Sequence, residues 1–230
     1  MEVTDMTPPR HDLEAQRAAL ANLLPEHVDA IAIVPLHVSA LNDLIGQHIA
    51  KGTSVITFHN DAPESARTLF VGPDAFRSGI LAGELLAKLM GGGGRILTFP
   101  GLLHEYQLVQ RYEGLRNELK RHPDIPERCA CGVHDLKSCA PGSMCNREPV
   151  EGIYLGLSEQ ILEICRALQQ FGLRVPCVGF TNTQETEPFV KSGVLSANRR
   201  HQQGYFAVQR AYEAAGCRGG PTPPGIPVVA

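Results

Sequence analysis

The sequence predicts an α/β fold of parallel strands with helices packed on both faces. Two observations carry this. Short continuous apolar runs, bounded by Gly, Pro and polar residues, recur along the chain, as strands buried on both faces require. Between them lie stretches with apolar residues at helical spacing, and regular alternation of the two patterns implies a parallel sheet.

The elements follow in order. Leu13 to Leu24 sets Leu13, Leu20, Leu23 and Leu24 on or near one helical face, with Asp12 as N-cap and Pro25 past the end. Ala30 to Val34 is a buried strand. Val38 to Ala50 is a helix with Leu41, Leu44, Ile45 and Ile49 on one side, stopped by Gly52. Ser54 to Phe58 is the next strand. After Phe70-Val71 a long helix runs from about Asp74 to Met90, with Leu81, Leu85, Leu86 and Leu89 as its stripe and Gly91 to Gly94 ending it. Arg95 to Phe99 is a strand and Glu105 to Arg121 a helix.

Between Arg128 and Arg147 the pattern fails: the segment has four Cys and little periodicity. The alternation resumes with a strand at Gly152 to Leu155, a helix from Ser158 to Phe171, and a strand at Pro176 to Phe180. Helices follow at Gln184 to Lys191 and Gln202 to Ala215. From Gly216 the tail is Gly/Pro-rich and expected to be disordered.

The 230 residues are 43% hydrophobic and 20% charged with a net charge of −3, a soluble globular composition without a basic field for nucleic acid. No apolar run reaches membrane-spanning length, and Met1 to Asp5 lacks the pattern of a signal peptide. The seven cysteines do not form a spread disulfide framework and lean towards a reducing compartment. Cys165 and Cys177 sit in apolar settings and read as buried small hydrophobes. Cys129, Cys131, Cys139 and Cys145, with His134 between, are ligand types for zinc but lack the usual Cys-x-x-Cys spacing, so no metal is expected. The Gly91 to Gly94 run is no phosphate loop, and no Gly-x-Ser-x-Gly or His-Glu-x-x-His motif is present. No enzyme activity and no cofactor are expected.

Several stretches together resemble a family. They are Val28-Asp-Ala-Ile-Ala-Ile-Val-Pro35, Ile49 to Pro63, Val71 to Leu86, Arg111-Tyr-Glu-Gly-Leu115, Val178-Gly-Phe180 and Gln203 to Val208. In order and spacing they are similar to the type I periplasmic-binding-protein fold of sugar-binding proteins of ABC importers and of effector domains of lactose-repressor-type regulators. The resemblance implies two Rossmann-like lobes joined by three crossovers, with the ligand in the interlobe cleft. It places the N-terminal lobe and a crossover helix at 1–90, the C-terminal lobe at 91–193 with the aberrant segment 128–147, a returning crossover and helix at 194–215, and a tail at 216–230. The family starts with a strand and helix before the strand that Glu2-Val-Thr4 would form. The chain is therefore expected to be a fragment lacking the first central strand. Asn198 to Gln202 is also shorter and more charged than the family link.

The resemblance assigns His59 and Asn60 to ligand hydroxyls, a role suited to side chains that both donate and accept; the competing role is a turn, which suits Asp61. His104, with Tyr106, lies in a loop that the family places at the cleft. Arg111 matches the family's helix motif, with a salt bridge as the alternative. Thr181, followed by Asn182, stands where the family commonly has an Asp, and Val109 stands where sugar binders often carry a further Arg. Ser158 fits an N-cap better than a ligand contact. The expected function is binding of a small polar, sugar-like solute as the substrate-binding protein of an ABC importer, docking on a permease in the periplasm or cell envelope. The alternative is the effector domain of a cytoplasmic regulator separated from its DNA-binding part. Neither reading involves direct nucleic-acid contact or a membrane span.

Overall fold

The structure, a computed structural model, describes residues 4–8, 12–129, 150–170, 174–180 and 185–195. The expected last helix, the Asn198 to Gln202 link, the tail and most of the Cys-rich segment lie outside the described residues. These residues group into two compact units. The first holds those up to Pro73 together with His104–Gln107; the second holds Asp74–Leu103 and those from Leu108 onward. The long helix after Pro73, expected as a crossover, groups with the second unit.

The first unit contains α1 (Leu13–Leu23), β1 (Ala30–Ile33), α2 (Asn42–Ala50), β2 (Ser54–Phe58) and β3 (Leu69–Val71). The three strands are parallel in the order β1-β2-β3, with Ala30 opposite Ser54 and Ile56 opposite Leu69. Strand β3 is an addition to the sequence reading. Asp12 caps α1 by accepting from the Ala15 N–H at 3.0 Å, as its position before the apolar stripe implies. Ile31, Ile33 and Val55 face α1 and α2 and pack with Leu20, Leu41, Leu44 and Ile45. Each such burial contributes about 1.5–3 kcal/mol. The buried His48 of α2 ties the two helices by donating from Nε2 to the Leu20 carbonyl at 2.9 Å.

At the surface, Arg17 grips both Asp43 oxygens at 2.9 and 2.8 Å. These bonds hold the Asp43 carboxyl at about 2, below its ordinary 3.8. A carboxylate with a depressed folded value stabilises the fold above its unfolded value and loses that contribution as pH falls. NMR titration of the Asp43 carboxyl is expected to give a midpoint near 2, moving up towards 3.8 in Arg17→Ala.

The second unit contains α3 (Ala75–Leu89), β4 (Ile96–Phe99), α4 (Tyr106–Leu119) from Leu108 onward, β5 (Glu127–Cys129), β6 (Gly152–Leu155), α5 (Ser158–Gln170), β7 (Cys177–Gly179) and α6 (Glu187–Lys191). Its sheet is parallel in the order β5-β4-β6-β7. Alternate residues serve opposite faces. Leu97, Phe99, Ile153, Leu155 and Cys177 pack against Ile161, Ile164, Cys165 and Leu168 of α5. Ile96, Tyr154 and Val178 pack against Ala82 and Leu86 of α3 and Leu115 and Leu119 of α4. Strands covered on both faces explain the continuous apolar runs. Strand β5 occupies the start of the segment where the sequence shows no strand signature. Its pairing with β4 is flanked by Glu127, which accepts from the Thr98 hydroxyl at 2.9 Å and the Tyr112 hydroxyl at 2.5 Å.

Helices α3 and α4 cross with their backbones in contact. A Cβ on Gly79 would lie 1.9 Å from the Arg111 carbonyl oxygen, and one on Gly114 would lie 1.9 Å from that of Phe76. Only glycine at both positions permits this approach.

Candidate functional site

In open parallel sheets, ligands bind beyond the carboxyl ends of the strands. The carboxyl ends of each unit carry the sequence-selected residues and several others.

In the first unit, His59 follows β2 with φ 62°, the single described non-glycine residue at positive φ. Such a conformation costs about 1–2 kcal/mol for an L-residue. A three-residue turn enforces it: the Asn60 N–H donates to the Phe58 carbonyl at 2.7 Å, and the His59 N–H donates to Val71 at 3.1 Å. The His59 side chain is exposed. Asn60 is 1% exposed and braces the loops. Its amide N–H donates to the Pro35 carbonyl beyond β1, and its Oδ1 accepts from the Gln107 N–H at 2.9 Å.

Asp61 performs the turn role. It accepts from the Thr57 hydroxyl at 2.7 Å and the Ala62 N–H at 2.8 Å, and receives Arg67 bidentately at 2.6 and 2.7 Å. Such forked charge-assisted bonds are the strong class. His104 is exposed and stacks on His37, with centroids 5.9 Å apart and planes at 12°. The His104 carbonyl accepts from the Val38 N–H at 3.1 Å. His37 Nδ1 in turn accepts from Ser39 and Ala40 N–H groups at 3.2 Å each, which places the neutral ring's proton on Nε2. Those contacts hold residues 37–41 in a loop, so the helix expected from Val38 begins at Asn42.

In the second unit, Arg111 is 6% exposed. Its guanidinium lies 4.0 Å from the Phe180 ring centroid, and Nη1 reaches the Gly156 carbonyl at 3.5 Å. A desolvated cation over an aromatic face is worth about 2 kcal/mol. The group therefore sits where β6 and β7 end. Phe180 meets Tyr154 edge-on with centroids 5.9 Å apart. Burial pushes the Tyr154 phenol well above its ordinary value, opposed by the nearby Arg111 charge. The Tyr154 hydroxyl and both amide atoms of Gln160, in the first turn of α5, are buried without a hydrogen-bond partner among the described residues.

Thr181, Asn182, Cys131, Cys139, Cys145 and His134 lie outside the described residues, as does the Ser158 side chain. Among the described residues no three His, Cys, Asp or Glu side chains converge as metal ligands, and no helix is long and apolar enough to cross a membrane. Sequence reasoning passed over Gln107, Tyr154, Phe180 and Gln160. Phe180 alone carried a signal, as the last residue of the Val178-Gly-Phe180 stretch.

Comparison with known proteins matches residues 1–219 to the periplasmic binding protein domain model. The xylitol-binding protein of Mycolicibacterium smegmatis is 25% identical over 191 residues, covering 80% of this chain and 54% of that protein. The ribose import binding protein RbsB of Bacillus subtilis is 20% identical over 195 residues, covering 84% and 64%. An ABC transporter solute-binding protein from Burkholderia graminis, solved with D-arabinose, superposes with a TM-score of 0.82 at 22% identity, covering 91% of this chain and 77% of that one. The chain thus spans between half and two thirds of the length of these two curated relatives.

Proposed function

We propose, from the premise that this chain belongs to the periplasmic binding protein domain family, that it binds a small polyhydroxylated solute and serves an ABC-type importer without chemical turnover. The observation that carries this reading is the family match across residues 1–219. The relatives described above are named for, or were solved with, xylitol, ribose and D-arabinose, which directs the proposal to pentoses and pentitols. None of the three is named as a transcription regulator, and the relatives outweigh the cysteine content, which leans towards the effector-domain alternative. The solute-bound chain would dock on a permease, in the periplasm or envelope.

In the first unit His59 and His104 are the candidate polar groups for hydroxyls; in the second unit Arg111 is the candidate at the strand ends. Gln160 adds a buried amide able both to donate and to accept. Asn60 acts chiefly by holding the loop that presents His59. Thr181 and Asn182 stay candidates on the sequence resemblance alone.

A thermal-shift screen of pentoses, pentitols and hexoses tests the reading. Ligand at a thousandfold excess over its Kd stabilises by about 4 kcal/mol, a rise of roughly 8–16 °C for a chain of this size. Melting unmoved by the whole panel would count against it. His59→Gly separates the two roles of that residue. Relief of the positive φ is expected to raise stability by about 1 kcal/mol in urea denaturation. Loss of the imidazole is expected to weaken solute binding by about 1–3 kcal/mol. Unchanged affinity would remove His59 from the site.

A further inference from the structure

We propose that Gln107 is a further solute-binding residue of the first unit, its buried side-chain amide donating a hydrogen bond to one oxygen of the solute; the inference rests on the solute-binding reading above. Gln107 is the second residue of α4 and is 4% exposed. Its Nε2 is buried without a hydrogen-bond partner among the described residues. An amide nitrogen in that state has lost its water and gained nothing in return, and native proteins rarely leave such a group unsatisfied. The next residue, Leu108, is as deeply buried and is apolar, as an ordinary core position is. A glutamine beside it costs stability unless an acceptor arrives from outside the fold.

The main chain fixes where Gln107 stands. Its backbone N–H donates to Asn60 Oδ1 at 2.9 Å, and the Asn60 amide donates to the Pro35 carbonyl. Three residues earlier, the His104 carbonyl accepts from the Val38 N–H at 3.1 Å, and the His104 ring stacks on His37. These bonds tie the start of α4 to the loops after β1 and β2, all within the first unit, where His59 also stands. Ligands of open parallel sheets bind at that end of the strands. The chemistry of the amide nitrogen selects the ligand atom. Nε2 can only donate, so it takes an oxygen lone pair, which every hydroxyl of a pentose or pentitol offers. The brace to Asn60 runs through the backbone of Gln107, so replacing the side chain leaves that brace in place.

The test is isothermal titration of the unaltered chain and of Gln107→Met with D-ribose, D-arabinose and xylitol, alongside their melting curves. Methionine keeps the unbranched shape and removes the amide. The expected result is a variant that melts at or above the temperature of the unaltered chain and binds about 10- to 100-fold more weakly. In NMR spectra of the unaltered chain, the Gln107 side-chain amide signals are expected to shift on saturation with the solute that binds; if the variant fails to fold, this measurement decides. Equal affinity in the folded variant, or amide signals unmoved at saturation, would overturn the inference and leave solute binding standing; an amide satisfied only by a buried water gives that result. Flat titrations of the unaltered chain would overturn both.

Discussion

Gly114→Ala is expected to lower the melting temperature by about 6–12 °C, the equivalent of about 3 kcal/mol. The added methyl would lie 1.9 Å from the Phe76 carbonyl oxygen, whereas ordinary contact begins at 3.4 Å. Backbone cannot give way as a flexible side chain can, so α3 and α4 must separate by about 1.5 Å. That opens the packing of Ala82, Leu86, Leu115 and Leu119, which covers one face of the second sheet. Gly79→Ala meets the Arg111 carbonyl at the same distance and is expected to behave alike. Gly46→Ala is the control: this helical glycine has nothing within 4 Å of an added Cβ, and the change is expected to stabilise by about 1 kcal/mol. Differential scanning calorimetry of the three variants checks the account. A neutral Gly114→Ala would mean that the helices do not cross in contact.

Asn60→Ala is expected to cost about 3 kcal/mol of stability, read as a lower urea midpoint. The substitution removes the donor to the Pro35 carbonyl and the acceptor for the Gln107 N–H, both within a buried loop junction. Each buried group left unpartnered costs about 1–3 kcal/mol. Affinity for solute should fall as well, because the turn holding His59 loses its brace. Asn60→Asp keeps the acceptor towards Gln107 but sets a carboxylate against the Pro35 carbonyl, and it is expected to be no milder. An Asn60→Ala chain of normal stability and lost affinity would reverse this assignment and make Asn60 a direct ligand contact.

These two residues also show what could be read from the sequence. The strands at 30–33, 54–58, 96–99, 152–155 and 177–179 were legible because burial on both faces leaves an unbroken apolar run. Strand β3 was not, since three residues carry no periodicity and Leu69 and Phe70 are only half-buried. Strand β5 was hidden for a different reason: its first residue, Glu127, is polar and packs through hydrogen bonds to Thr98 and Tyr112. The loop after β2 stood out as a site by its residue types. The partners of Asn60, however, lie 25 and 47 positions away, and no local pattern announces them. Gly114 drew notice only as part of the Arg111 to Leu115 resemblance; its physical reason, the Phe76 carbonyl, is visible only once the helices are placed. Burial of Arg111 against Phe180 was equally out of reach, because it joins α4 to the end of β7.

The central claim is solute binding, and isothermal titration of the purified chain with D-ribose, D-arabinose and xylitol tests it most directly. The account predicts a saturable isotherm with one site per chain for at least one of them, weakened in His59→Gly. Flat titrations with all three, on a chain that melts cooperatively, would contradict it.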